Sequence, residues 1–187
     1  LLIPLSRSIS PADPSTAAGP YGRIPIIASL SLGMAGQFLG MGARALAETE
    51  SLATRKVTAS SMPDMRDRQD VQAALSVFDA ALQAARSHLN ASAETLWQLA
   101  AKPSPIGEAD IAPVFAASSH AIRTATEAVD VLYSLAGTSA IYQSNQLERL
   151  SRDLRVMRQH VLTQPIWPEQ AGRVRLGLTP DNPLFAV

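Results

Sequence analysis

Apolar residues return every three or four positions through four long stretches of this chain, and that rhythm admits few folds. The clearest run is Val71, Leu75, Phe78, Leu82, Ala85, Leu89, Leu96 and Ala100, which keeps the α-helical period and none of the alternation of a strand. Unbroken from Arg66 to Ala100, opened by Asp64 or Asp67, such a helix would be about 50 Å long at about 1.5 Å per residue. A first helix carries Leu30, Met34, Phe38, Met41 and Ala45 on one face and ends near Arg55. A third follows Ile111, Phe115, Ser118, Ile122, Ala125, Val129 and Leu132 from about Glu108 to Ala136. A fourth, from about Gln146 to Leu162, aligns Leu147, Leu150, Leu154, Met157 and Val161. Long amphipathic helices with short turns predict an all-α fold, an up-and-down four-helix bundle.

The breaks agree. Pro63 interrupts the chain between the first two helices, KPSPIG (102–107) between the second and third, and Gly137 after Ala136. Pro165 and Pro168 bracket Trp167, and a last short helix, Glu169–Arg175, is expected before the NPLFAV tail. Residues 1–23 hold a short apolar run, LLIPL, then a proline- and glycine-rich segment. They are expected to be the end of an upstream β-domain and a linker, with residues 24–187 as the bundle. LLIPL lacks the basic leader and cleavage site of a signal peptide.

Ile24–Ala43 has no charged residue and raises the question of a membrane span. Ser29, Ser31, Gln37 and four glycines dilute it, and no basic cluster flanks it. The expectation is a buried helix, closely packed through Gly36 and Gly40, and no membrane partner. The 16 basic and 16 acidic residues balance, which gives no electrostatic footing for a nucleic-acid partner. There is no cysteine, which excludes disulfides, thiolate nucleophiles and Cys-based metal sites and fits a cytoplasmic protein. His88, His120 and His160 are scattered, without metal-ligand spacing. Alanine-rich faces at Ala80–Ala85 and Ala116–Ala121 suit packing against a second subunit, so a homodimer or homotetramer is expected.

Three places could carry chemistry. His160 shares a face with Asp153 and Val156 on the expected fourth helix, between core and solvent, where burial and neighbours can tune an imidazole. It could equally be a boundary histidine bonded to a neighbouring group. Gly137, Thr138 and Ser139 form a glycine turn whose N–H and hydroxyl groups can cradle an anion, or simply a well-capped connection in which Asn145 starts the next helix. Arg55, at the end of the first helix, has the fork geometry that suits phosphate. Lys56, Arg66 and Arg68 are alternatives, as is a solvated helix-end charge. Arg149 and Asp153 make an i,i+4 pair expected to be structural.

The wording LAGTSAIYQSN (135–145), LER (147–149), RD (152–153) and QH (159–160), followed by AGR, LGL, PD and PLF, resembles the C-terminal helical domain of acyl-CoA-dehydrogenase-like flavin monooxygenases. These are the oxygenase components of two-component systems. The resemblance implies reduced flavin (FMN, with FAD possible), a separate flavin reductase and a small organic substrate. It implies that His160 faces flavin and substrate, either deprotonating the substrate or holding the flavin hydroperoxide by a hydrogen bond. It places Gly137–Ser139 and Arg55 near the flavin, at its phosphate and across a subunit boundary. An acyl-CoA dehydrogenase of this superfamily is disfavoured. Its glutamate base would fall at Tyr142-Gln143-Ser144 or within Ile24–Ala47, and neither place holds a carboxylate. The remaining alternative is a non-catalytic helical oligomerisation module.

Overall fold

Helix α3 explains the architecture, because more than one of its faces is covered. The computed structural model describes residues 19–55 and 63–185. Five α-helices follow in order: α1 Ile26–Arg55, α2 Gln69–Ala100, α3 Glu108–Ala136, α4 Gln146–Met157 and α5 Ile166–Arg175, with short 3-10 turns between several of them. There is no strand among the described residues. Val114, Phe115, Ala117, Ala121, Ala125, Ala128, Val129 and Leu132 of α3 are all buried. All but Val114 and Phe115 pack against Ala35, Phe38, Leu39 and Ala45 of α1, Phe78, Leu82 and Leu89 of α2, and Leu147 and Leu154 of α4.

Two smaller clusters mark the ends. At one, Ala28, Leu96, Ile111 and Phe115 meet Trp167 of α5 and Phe185 of the tail. At the other, Ala53, Met65 and Val71 gather with Leu135. The start of α1 therefore lies beside the end of α2 and the start of α3, so these three helices alternate in direction.

Several expectations change. The long helices number three, α1, α2 and α3, while α4 and α5 have only 12 and 10 residues. Helix α4 stops at Met157, short of Leu162, although Val161 keeps the period. Thr163 Oγ1 donates to the carbonyls of Arg158 and His160, both at 2.8 Å, and Gln164 Nε2 donates to Arg158 O at 3.1 Å. Carbonyls that a continuing helix would use are thus satisfied from downstream. Helix α5 starts at Ile166, ahead of Glu169. Helix α2 begins at Gln69, after a 3-10 turn at Met65–Asp67 that contains Asp67.

Gly36 and Gly40 are exposed, and a Cβ on either would meet nothing within 4 Å. The close contact in α1 is at Gly42, where a Cβ would sit 2.8 Å from Leu82 Cδ2. Helix α1 is long and apolar enough to cross a membrane, yet Phe38, Leu39, Gly42 and Ala45 are buried against α2 and α3. Ala85, Ala117 and Ala121 are likewise spent inside the chain. The LLIPL run, the proline-rich segment to Ala18, and Lys56–Met62 lie outside the described residues.

Candidate functional site

The end of α1 and the α3–α4 connection build an open cleft. Helix α3 ends at Gly137, whose φ of 59° favours glycine, and the chain turns through the 3-10 segment Gly137–Ile141. Asn145 then starts α4. Its Oδ1 accepts from Leu147 N at 2.9 Å, and its Nδ2 donates to Ser139 O at 2.8 Å. One amide thus caps the helix and pins the turn.

Beside this turn lies a cleft of about 400 Å³, lined by Glu48, Leu52 and Arg55 of α1 and by Ser139, Tyr142, Ser144, Asn145 and Gln146. Its volume is within the range of small-ligand sites. Arg55 Nε donates to Ser51 O at 3.1 Å, and among the described residues its guanidinium has no carboxylate partner. Glu48 is held by Arg44 of its own helix.

Of the sequence candidates, Arg55 and Ser139 therefore meet across 84 residues of chain. Gly137 and Thr138 are exposed beside them and do not line the cleft. Arg68, an alternative to Arg55, is tied to Asp70 through Nε at 3.1 Å and Nη2 at 2.5 Å. That pairing raises the Arg68 pKa and lowers that of Asp70. Arg66 lies 3.8 Å from Asp67, and Lys56 is outside the described residues.

His160 is elsewhere. It follows α4, on the far side of a helix whose 12 residues rise about 18 Å. It is exposed and opens the 3-10 turn Val161–Thr163, its Nδ1 accepting from Leu162 N at 3.2 Å. His160 is thus not among the residues that line the cleft.

A second groove, of about 470 Å³, runs between Tyr133 of α3 and Glu148, Arg152, Arg155 and Val156 along α4, with Gln159 just beyond its end. Arg149 pairs with Asp153 at 3.4 Å as expected, and Arg152 with Glu148 at 3.3 Å. His88 and His120, distant in sequence, face each other with ring centroids 6.2 Å apart. Burial lowers the His120 pKa, helped by Arg123 and His88.

Sequence reasoning missed Glu48, Leu52 and Gln146 as cleft residues. A signal existed on α1, since Glu48, Leu52 and Arg55 repeat at the helical i, i+4, i+7 interval.

Residues 32–165 match the acyl-CoA dehydrogenase C-terminal domain family. This chain belongs to that family. Among curated relatives it is 28% identical to an indole-3-acetate monooxygenase of Pseudomonas putida over 163 residues, 86% of this chain and 41% of the relative. It is 27% identical to the indole-3-acetate monooxygenase of Acinetobacter baumannii over 90% of this chain and 43% of that one. Among solved structures, XiaF from Streptomyces sp., in complex with FADH2 and glycerol, superposes with a TM-score of 0.80 at 23% identity. It covers 93% of this chain and 44% of XiaF. The chain spans less than half the length of the curated relatives it matches.

Neither place at which the resemblance would put a dehydrogenase's glutamate base holds a carboxylate. Gln143 is an exposed amide in the turn before α4, and no amide serves as a base. Glu48 lies one residue beyond the carboxylate-free stretch of α1 and is ion-paired.

Proposed function

We propose that this domain belongs to a flavin-dependent monooxygenase that uses reduced flavin and O2 on a small organic substrate. The observation that carries the reading is the cleft joining Arg55, which has no carboxylate partner among the described residues, to Ser139 and Asn145 in a chain related to two indole-3-acetate monooxygenases. The cleft is largely polar, with Leu52 and Tyr142 as its apolar members. It fits the phosphate and hydroxyl-bearing part of a flavin nucleotide, FMN or FAD, better than the ring system. Arg55 would pair with phosphate, while Ser139 and Ser144 would hydrogen-bond to it. Glu48, neutralised by Arg44, would accept from a hydroxyl. Gly137 and Thr138 would keep the rim low enough for entry.

Bound reduced flavin would supply two electrons to O2, one oxygen atom entering the substrate and the other leaving as water. His160 would contact flavin or substrate. Because α4 separates it from the cleft, the two would serve different flavins in an assembled homodimer or homotetramer. The outer face of α1 supports such assembly: Leu30 is half exposed, and Gly33, Gly36 and Gly40 stand open beside it. A separate flavin reductase is the partner that the relatives suggest, and the cysteine-free composition supports a cytoplasmic setting.

The test is rapid mixing of the intact gene product and reduced FMN or FAD with aerated buffer, with and without an indole acid. Hydroxylated product and oxygen uptake coupled to it support the reading. Flavin reoxidation at the rate of free flavin, with no product from any aromatic acid, contradicts it.

A further inference from the structure

The groove between α3 and α4 has a polarity that the proposed flavin site does not use. Glu148, Arg152 and Arg155 recur along α4 at the intervals that put side chains on one helix face, and Tyr133 of α3 lies across from them. Ser151 belongs to the lining as well. It is only 4% exposed, and its hydroxyl has no hydrogen-bond partner among the described residues. Leaving a buried hydroxyl unpaired costs about 1–3 kcal/mol, and this one borders open space.

Beside it, Glu148 is half satisfied. One carboxylate oxygen takes Arg152 Nε at 3.3 Å, while Oε2 is buried and has no donor among the described residues. Further along the helix the charge reverses. Arg149 and Arg152 are each paired within α4, but Arg155 has no carboxylate partner among the described residues. The apolar part of the lining is Val156, 69% exposed, and the half-buried ring of Tyr133, which packs on the core. An exposed valine and a bare arginine are ordinary surface. A buried hydroxyl and a half-paired carboxylate on the same groove are not.

We infer that this groove binds a small, flat aromatic monocarboxylate that also carries an N–H or O–H donor. The ring lies on Tyr133 and Val156, the carboxylate pairs with Arg155, and the donor points towards Ser151 and Glu148. Glu148 and Arg155 stand two turns apart, about 10 Å of helix rise, which suits a two-ring molecule with a short acid side chain. A second carboxylate on the ligand would meet Glu148 and is disfavoured. Neither flavin nor O2 is needed, so the site goes beyond the monooxygenase reading. The rival occupant is a second copy of the chain.

The experiment is calorimetric titration of the intact, flavin-free protein at pH 7.5. Indole-3-acetate is the probe because it has the ring, the N–H and a single carboxylate. Indole-3-acetamide lacks the charge, and naphthalene-1-acetate lacks the donor. Saturable binding of the probe is expected, at least tenfold weaker for the amide and for Arg155→Ala. Naphthalene-1-acetate and Ser151→Ala should each lose about fivefold. Arg158→Ala, exposed just past α4 and outside the lining, should bind like the wild type. Unchanged affinity in Arg155→Ala, equal affinity for either analogue, or no saturable binding overturns the inference. Sedimentation run in parallel tests the rival: a smaller assembly in Arg155→Ala, with no acid bound by the wild type, gives the groove to a subunit interface and also overturns it. Titration with reduced flavin keeps the readings apart. A protein that takes the acid but no flavin retains this site and loses the monooxygenase reading; the reverse result does the opposite.

Discussion

The two ends of the bundle are built from different materials. At the end where α1 and α3 begin, Phe115 lies between Trp167 and Phe185, with ring centroids at 4.8 and 4.7 Å, and all three are at most 1% exposed. Gln170 closes this end by bonding Asp181 through both its amide and its carbonyl. At the opposite end the chain leaves Arg55, Gly137, Thr138 and Tyr142 in the open, around a polar cleft. One end buries large rings and ties Gln170 to Asp181. The other keeps donors available. The contrast separates what holds the fold from what can hold a ligand.

The largest effect expected from breaking the closed end is in Trp167→Ala. It removes the stacked ring and the bond to Val161, and should cost about 3–5 kcal/mol, measured by urea unfolding. A loss below about 1 kcal/mol would show that the aromatic end is not the anchor. Next comes a contrast along α1. Gly42→Ala pushes a methyl towards Leu82 and should cost about 1–3 kcal/mol. Gly36→Ala, on the open face of the same helix, should stabilise the isolated domain by about 0.5–1 kcal/mol. Equal signs at both positions would erase the distinction between packed and open faces.

Asn145→Ala probes the open end. Losing the cap and the bond to Ser139 should cost about 1 kcal/mol, far less than Trp167→Ala in the same denaturation experiment. The smallest effect is the pH dependence at His120. Its folded-state pKa lies below the ordinary histidine value of 6.5, so the unfolded chain binds the proton more readily. Stability is complete above pH 6.5 and declines as pH falls through the folded-state value. His120→Gln should flatten the slope of stability between pH 7.5 and 5.5; an unchanged slope would rule that histidine out.

Periodicity carried most of the fold into view. Helix α3 is legible to the residue because Gly107 and Gly137 bound an uninterrupted apolar stripe. Helix α4 is not, because Met157 and Val161 keep the rhythm while Thr163 and Gln164 end the helix through side-chain bonds that no period records. The packing of α1 was read from Gly36 and Gly40, but the close approach is at Gly42, since only the partner Leu82 decides which glycine is needed. The site was visible as residue types and not as a place. Nothing local brings Arg55 to Ser139, or His88 to His120; helix pairing does so. Asn145 was legible as a cap, but its second bond to Ser139 depends on the turn's shape.

The measurement that bears most directly on the open end as a flavin site is equilibrium binding of reduced FMN and FAD to the intact protein and to its Arg55→Ala variant, with the unfolding transition of each followed in parallel. Loss of a charge-assisted phosphate contact predicts at least tenfold weaker flavin binding, with stability unchanged to within about 0.5 kcal/mol. Flavin affinity equal in the two proteins would contradict the account.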